Sequence, residues 1–147
     1  MMKTNMPNIE VKVLNHDVLR QKDFAVFDIY DFLLYQQGRP VSTLRIHQVQ
    51  KYFSDFVFSE RYYDFSYKPP KPMPHVNGMH TDEEFRGNGL AGLLILSANQ
   101  YFQKTQSISL WSGFSYNRDS FKVWKKLENE GLAERLKVKG YIRWKMK

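Results

Sequence analysis

The sequence predicts one α/β domain of the α+β class, and three observations support this prediction. The chain has 147 residues, enough for one domain with a hydrophobic core and too few for two ordinary domains. Segments in which apolar and polar residues alternate, as in strands, lie near both ends of the chain. Between them, one long segment carries apolar residues three and four positions apart, which indicates an amphipathic helix.

The first predicted elements are a strand and a short helix. Residues 9–14 alternate between apolar and polar side chains, which predicts a strand. Asn15, His16 and Asp17 follow, and because such residues cap helices, we expect a short helix to about residue 23.

A hairpin is predicted next. Residues 24–35 are apolar almost throughout, and periodicity does not choose between helix and strand for the first half of this run. Residues 32–36 and 41–47 have the pattern of two strands, with Gly38 and Pro40 in the turn between them.

The middle of the chain is rich first in aromatic residues and then in proline. Residues 48–67 contain eight aromatic side chains, and we expect a short helix and an excursion over the sheet there. We interpret the aromatic cluster as packing, with a base-stacking platform as the alternative. Four prolines make residues 68–74 a stiff loop, and residues 75–81 are the next predicted strand.

The second half of the chain predicts two helices around a strand. Residues 88–104 have an apolar face and form the longer helix, and residues 107–114 form a strand. A second helix covers residues 117–130, with Asn117 or Asp119 as its N-terminal cap.

The C-terminal segment predicts a two-stranded ribbon with one apolar and one basic face. Apolar and basic residues alternate there; the apolar ones are Leu136, Val138, Ile142, Trp144 and Met146, and the basic ones Lys137, Lys139, Arg143, Lys145 and Lys147. The chain has a net charge of +7, and its last fifteen residues hold six basic side chains and one acidic one. We interpret the basic face as solvated surface, and leave open its contact with an acidic substrate or nucleic acid.

Composition excludes several classes of protein. No apolar run approaches the roughly 20 residues that cross a bilayer, and the polar start lacks the apolar core of a signal peptide, so we expect a cytoplasmic protein without membrane contact. The absence of cysteine excludes disulfides, thiolate metal sites and a cysteine nucleophile. His75 and His80 are five residues apart on a predicted strand, which would put them on opposite faces, so no metal site is expected.

The most informative segment is Arg86–Gly92, which follows a predicted strand and opens the longest predicted helix. A helix start leaves several backbone N–H groups without partners and carries a partial positive charge, so an anion is favoured there. Gly87 and Gly89 have no Cβ atoms to hold a pyrophosphate away. The segment therefore predicts a phosphate-binding loop, with a purely structural glycine turn as the alternative.

The same residues match G-x-G-x-x-G, the dinucleotide-binding fingerprint, but the context does not fit a Rossmann domain. That reading needs the loop in the first strand-helix unit and an acid about 20 residues further on. Here the loop lies past the middle of the chain, and residues 107–114 contain no Asp or Glu.

With these elements in order, the chain resembles the GNAT superfamily of acetyl-CoA-dependent N-acetyltransferases. The family signature is Arg or Gln, two variable residues, Gly, one variable residue, then Gly or Ala. Arg86, Gly89 and Ala91 match it, and Phe85 takes the place of the aromatic residue that commonly precedes it.

A second match lies downstream. Asn117 and Ser120 fall where the family has an Asn and a small residue on the helix after the fifth strand. The resemblance covers roughly residues 26–132 and is strongest over 79–127.

The resemblance implies a mixed, mostly antiparallel sheet with helices on both faces. In such proteins the pyrophosphate of the cofactor lies on the loop amides, and the pantetheine arm pairs like an extra strand with the strand before the loop. The implied contacts of acetyl-CoA are therefore Met79, His80 and Thr81 along the pantetheine, Arg86, Gly87, Asn88, Gly89, Leu90, Ala91 and Gly92 at the phosphates, and Asn117 near the thioester.

Acyl transfer from a thioester to an amine needs a neutral amine, an N–H group for the oxyanion and a proton for the leaving thiolate. The family often supplies that proton from a Tyr seven residues after the helix Asn, and this chain has Trp124 there. Tyr116 or a water molecule is the predicted substitute. His80 or Glu60 is the predicted base.

The resemblance thus implies transfer of acetyl from acetyl-CoA to a primary amine of a small molecule or a protein. One alternative is a catalytically degenerate protein of the same fold that serves binding or assembly. A second alternative is a nucleic-acid-binding module that uses the basic ribbon. The sequence leaves the acceptor open, as well as a homodimer or larger assembly.

Overall fold

Six strands and two helices make up the part of the chain that the computed structural model describes, which covers residues 10–21, 25–52, 73–113, 117–138 and 141–147. In chain order the elements are β1 (Glu10–Gln21), β2 (Ala25–Gln36), β3 (Arg39–Tyr52), β4 (Pro74–Thr81), α1 (Leu90–Gln106), α2 (Arg118–Asn129), β5 (Ala133–Val138) and β6 (Tyr141–Met146). The α+β class is confirmed, with an antiparallel sheet and two helices.

The first four strands form one antiparallel sheet in chain order, and β5 and β6 form an antiparallel pair. Residues 108–113 lie between the two helices in the chain. Through main-chain hydrogen bonds they connect the four-stranded sheet to the β5–β6 pair. The bonds are Trp111 N to Pro74 O (3.0 Å), Val76 N to Trp111 O (3.0 Å), Ser112 N to Trp144 O (2.8 Å) and Met146 N to Leu110 O (2.9 Å). The predicted strand at 107–114 is therefore only a bridge at Trp111, parallel to β4 and antiparallel to β6.

The prediction of a helix after Asn15 is wrong, because β1 continues to Gln21 and pairs with β2 on both sides of residues 16 and 17. The register shifts between Asn15 and Val18, so the polar residues form an irregularity in the strand instead of a helix cap. The undecided segment 24–35 belongs to β2 from Ala25 onward.

The predicted hairpin of β2 and β3 is confirmed. Gln37 and Gly38 have φ angles of 54° and 80°, and this pair of left-handed residues gives a turn whose twist matches that of the strands. Pro74, expected in a loop, is instead the first residue of β4 and pairs with Gln48. The helix expected within 48–67 falls outside the described residues beyond Tyr52, where β3 ends.

The core lies between the sheet and the two helices. Its largest fully buried side chains are Trp124, Trp144, Phe32, Phe102, Leu34, Leu44, Ile46, Leu94, Ile95, Leu110 and Met146. Phe102 of α1 contacts Tyr30 of β2 edge to face, with ring centroids 5.0 Å apart. Trp124 of α2 stacks on Trp144 of β6 at 6.3 Å.

Asn117 caps α2, as predicted. Its Oδ1 accepts a hydrogen bond from Ser120 N at 2.9 Å, which satisfies one of the unpaired donors at the helix start. Among the described residues, no helix is long and apolar enough to cross a bilayer.

The C-terminal ribbon does not have one apolar and one basic face. Leu136 pairs with Arg143, and Arg135 pairs with Trp144. Paired residues lie on the same face of the ribbon, and each even-numbered residue of β5 pairs with an odd-numbered residue of β6. The apolar residues Leu136, Val138, Ile142, Trp144 and Met146 are all even-numbered, so those of β5 and those of β6 lie on opposite faces. As a result, Arg135 and Lys137 lie on the face that carries Trp144.

His75 and His80 lie on the same face of the sheet, contrary to the prediction. In the register, His75 pairs with His47 and His80 pairs with Thr43, because Asn77 is an extra residue in β4 that pairs with none. The β3 partners, His47 and Thr43, are four positions apart, which is about 13 Å along the strand. Within the described ranges, no three His, Cys, Asp or Glu side chains form a metal-binding group.

A row of buried polar side chains crosses this face where the two sheets meet. The His47 and His75 rings are 6.1 Å apart, and the guanidinium of buried Arg143 lies 5.1 Å from the Trp111 ring centroid. Arg143 Nη2 donates to Ser112 O at 2.7 Å. Burial, followed by the charges of Arg143 and His47, lowers the pKa of His75 to about 3.

Protonation of His75 should therefore make the protein less stable in acid. In the unfolded chain this imidazole takes up a proton below about pH 6.5, whereas in the folded protein it stays neutral to about pH 3, so stability falls between these values. We expect the contribution of His75 to the free energy of unfolding to be about 2 kcal/mol smaller at pH 5 than at pH 7.5.

Urea denaturation of the wild type and of His75→Gln at pH 5 and pH 7.5 measures this contribution. The variant should be less sensitive to the pH change than the wild type. An equal loss of stability in both proteins would contradict the assignment.

Candidate functional site

The predicted phosphate loop connects β4 to α1. After Thr81 the chain forms a short 3-10 turn at Glu83–Phe85, and α1 begins at Leu90. Gly87 and Gly89 have φ angles of 84° and 75°, in the left-handed region that favours glycine. Both glycines are therefore required by the shape of the backbone.

Arg86 N of this loop bonds to Glu83 O at 3.2 Å, and the main-chain N–H groups after it have no acceptor among the described residues. Gly89 is the N-cap of α1 and has no side chain to cap it. Leu93 N is the first nitrogen of the helix to bond, to Gly89 O at 3.1 Å. Within the described part of the chain, the N–H groups of residues 87–92 make no hydrogen bond, so they are available to an external acceptor.

The space in front of the two left-handed glycines is open. A Cβ atom built on Gly87 or Gly89 meets no atom within 4 Å. A Cβ on Gly92 would meet Leu127 Cδ2 of α2 at 4.0 Å, an ordinary packing contact. Among the described residues, no side chain caps the start of α1 or lies within 4 Å of the Cβ positions of Gly87 and Gly89, while Gly92 faces the second helix.

Two predicted phosphate ligands use their side chains to hold the loop itself. Arg86 Nε donates to Thr81 O at 2.9 Å, and Asn88 Nδ2 donates to Phe85 O at 3.0 Å. Both residues are exposed, and Phe85 packs against the core. These bonds fix the loop on the end of β4, so the anion-binding donors that remain are mainly main-chain N–H groups.

Arg39, in the β2–β3 hairpin, reaches the same loop. It lies 2.5 Å from Glu84 Oε1 and 3.7 Å from Asp82 Oδ2, and its guanidinium is 5.3 Å from the Phe85 ring centroid. A surface ion pair is worth little by itself. Its charge, however, offsets part of the negative charge that would otherwise repel an anion at this loop.

An open depression beside the loop is lined by His80, Asp82, Glu83, Glu84 and Arg86. His80 Nε2 lies 3.5 Å from Asp82 Oδ1, and the His80 side chain is 63% exposed. This imidazole is therefore accessible to a bound molecule, with a carboxylate next to it.

Next to the loop, the outer edge of β4 pairs with none of the described residues. Asp82 N donates to Val41 O at 2.9 Å, so the main chain of residue 82 faces β3. Because main-chain groups alternate along a strand, those of Met79 and Thr81 face the other edge. In the described ranges, no main-chain hydrogen bond links β4 to the 108–113 segment beyond Val76.

The remaining predicted site residues are spread around this region. Met79 is half-buried on the core face, where it pairs with Leu44, and Thr81 Oγ1 lies 2.8 Å from Ser42 Oγ. Asn117 is exposed, and its side-chain oxygen is used by the α2 cap. Its predicted position near a thioester stays a prediction.

Two of the predicted catalytic residues, Glu60 and Tyr116, lie outside the described residues. Trp124, at the position where the resemblance implies Tyr, is buried in the core and stacked on Trp144. It therefore presents no proton donor to the loop.

Sequence reasoning missed two features of this region. Arg39 was assigned only to a turn, and nothing local shows that the hairpin packs near residues 82–85. The extra residue Asn77 in β4 was also missed, although the adjacent Gly78 is the kind of residue that marks an irregular strand.

Comparison with known proteins adds no relative. No protein-family model, curated protein or solved structure matches the chain.

Substitution of single glycines should distinguish backbone strain from packing in the loop. Gly87→Ala should destabilise the protein by about 1 kcal/mol, because Ala rarely adopts a positive φ. Gly92→Ala should stabilise it by about 0.5 to 1 kcal/mol, because this glycine lies in the first turn of α1 and its new Cβ meets only an ordinary contact.

Urea denaturation without ligand measures both effects. If Gly87→Ala left the free energy of unfolding unchanged, or if the two variants shifted it in the same direction, the loop conformation would be wrong.

Proposed function

We propose that the protein is an acyltransferase of the GNAT type, which transfers acetyl from acetyl-CoA to a primary amine of a small molecule or a protein. One observation carries the proposal. The N–H groups of residues 87–92, which include two left-handed glycines at the start of a 17-residue helix, have no acceptor in the described chain. A Cβ atom built on either of these glycines meets no atom within 4 Å.

A pyrophosphate fits these donors for two physical reasons. It satisfies N–H groups that are otherwise left to water, and its charge lies at the positive end of the α1 dipole. Arg39, close to Asp82 and Glu84, lowers the local repulsion in part. Recognition would thus depend mainly on the main chain, with less from cationic side chains.

The free edge of β4 suits the next part of the cofactor. Pantetheine carries two amide groups, and the main-chain groups of Met79 and Thr81 face the side on which such a chain would lie. An extended ligand that adds to a sheet edge gains hydrogen bonds of the kind that join strands. Thr81 O already accepts from Arg86, so Met79 offers the free pair of groups.

The chemistry requires a base, an oxyanion donor and a proton for the thiolate. In the proposed reaction the amine nitrogen attacks the acyl carbon, the C–S bond breaks, and the amine proton passes to a base. His80, beside Asp82, is the candidate base in the described part of the chain. Tyr116 or water would protonate the departing thiolate.

The proposal predicts that Gly89→Glu abolishes CoA binding, because the variant puts a carboxylate and bulk against the pyrophosphate. Gly131→Glu is the matched control. Gly131 has a φ of 77°, against 75° for Gly89, and open space around it, but it lies in the turn after α2. Both variants therefore carry the same strain and the same added charge.

Isothermal titration with CoA should show that Gly89→Glu lowers the affinity for CoA by about two orders of magnitude or more. Gly131→Glu should keep near wild-type affinity. CoA should also raise the melting temperature of the wild type and of the control. Equal CoA affinity in the two variants would refute the loop as the binding site.

A second candidate function is a catalytically inactive protein that keeps CoA binding for a binding or assembly role. Trp124 favours it, because this residue is committed to the core where the resemblance implies a proton-donating Tyr. Release of free thiol from acetyl-CoA, measured with polyamine, aminoglycoside and peptide amines, separates the two candidates. Stabilisation by CoA without thiol release from any amine would favour the inactive protein.

The enzyme candidate makes a further prediction about Tyr116. Tyr116→Phe should slow turnover with little change in affinity for acetyl-CoA, because the variant removes the proton donor and no binding group. Steady-state rates and titration with acetyl-CoA measure the two quantities. Unchanged turnover would leave water as the donor.

A further inference from the structure

A line of cations runs along the solvent side of α2. Ser120, Trp124 and Leu127 are the buried residues of this helix. At 100° per residue, Arg118, Lys122 and Lys126 lie on the opposite side, four residues or about 6 Å apart. All three are exposed, and in the described structure none of them forms an ion pair.

The ribbon extends this positive surface. Arg135 and Lys137 lie on the face of β5 that packs against α2, and Arg135 Nε is 2.9 Å from Glu128 Oε1 of that helix. The Glu128 carboxylate also accepts from Trp144 Nε1 at 2.9 Å, so it is turned toward the ribbon. We define the α2–β5 basic surface as Arg118, Lys122, Lys126, Arg135 and Lys137.

The chemistry of this surface favours a regular row of phosphates as its partner. Its three α2 cations are exposed and evenly spaced. The acids on these elements are Asp119 at the flank of the helix, Glu128, which pairs with Arg135, and Glu134 on β5. A nucleic-acid backbone presents phosphates in a continuous row, so it can engage such cations without a preformed pocket.

A membrane fits the surface less well. Helices that lie on membranes expose an apolar face to the lipid, whereas the apolar face of α2 is turned into the core. Leu132 is the nearby exposed large hydrophobic residue in the described chain, and a single leucine gives no such face.

We propose that the α2–β5 basic surface binds the phosphate backbone of nucleic acid, without sequence preference. This site differs from the β-ribbon face that the sequence suggested, because Arg143 is buried and α2 supplies three of the five cations. It uses no residue of the CoA loop, so it stands independently of the acyltransferase proposal.

The experiment compares two double variants that remove the same charge. Lys122→Gln/Lys126→Gln changes the basic surface, and Lys12→Gln/Lys104→Gln removes two exposed lysines from β1 and α1. Substitutions of exposed side chains change stability little, so all variants should stay folded. Fluorescence anisotropy with a labelled 20-base-pair DNA duplex and the matching RNA duplex, at 50 to 200 mM salt, gives affinity and its salt dependence.

We expect the wild type to bind both duplexes more weakly as salt rises. The Lys122/Lys126 variant should bind about tenfold more weakly at 50 mM salt, with a slope of log affinity against log salt that is shallower by about 2. The Lys12/Lys104 variant should keep wild-type affinity and slope. Gly89→Glu should also bind like the wild type, which separates this proposal from the fate of the CoA site.

Three results would overturn the proposal. The first is no binding by the wild type at 50 mM salt. The second is an equal loss in the two double variants, which would mean that net charge alone matters. The third is binding to vesicles of phosphatidylserine that depends on Lys122 and Lys126, without binding to either duplex.

Discussion

The main-chain hydrogen bonds around Trp111 are the constraint on which the described architecture depends. They join β4 on one side and β6 on the other, and so hold the four-stranded sheet and the C-terminal pair in one layer under both helices. The contact with β4 is short and ends at Val76. In the described part of the chain, the rest of that strand edge, next to the start of α1, has no main-chain partner.

The β4 edge at Met79 and the loop at residues 87–92 carry two sets of main-chain groups that have no partner in the described chain. Along β4 they are the outward groups of the strand, and at residues 87–92 they are the N–H groups of a helix start. Buried or exposed, such groups favour hydrogen-bonding partners, and a long polar ligand with amides and phosphates would supply them. These two sets of groups are the physical basis of the acyltransferase proposal.

Charge is distributed differently at the two proposed sites. Beside the loop, Arg39 offsets part of the negative charge of the acids at 82–84, so specificity there would come from the geometry of the main chain. On α2 three exposed cations lie in a row, with Arg135 and Lys137 of β5 beside the helix, which favours a ligand of high charge and low shape specificity. Arg143 belongs to neither site, since it is buried beside His75 and Trp111.

The sequence by itself determined the elements whose cause is local. The β2–β3 hairpin, the α2 cap at Asn117 and the start of α1 after Gly89 follow from turn residues, capping oxygens and periodicity, which act within a few positions. Tertiary structure decided the rest. Pairing with β2 kept residues 15–21 in a strand, the extra residue Asn77 put His75 and His80 on one face, and the ribbon register separated the apolar residues of β5 and β6. These outcomes depend on which residue lies opposite which, and that information is held by a distant partner strand.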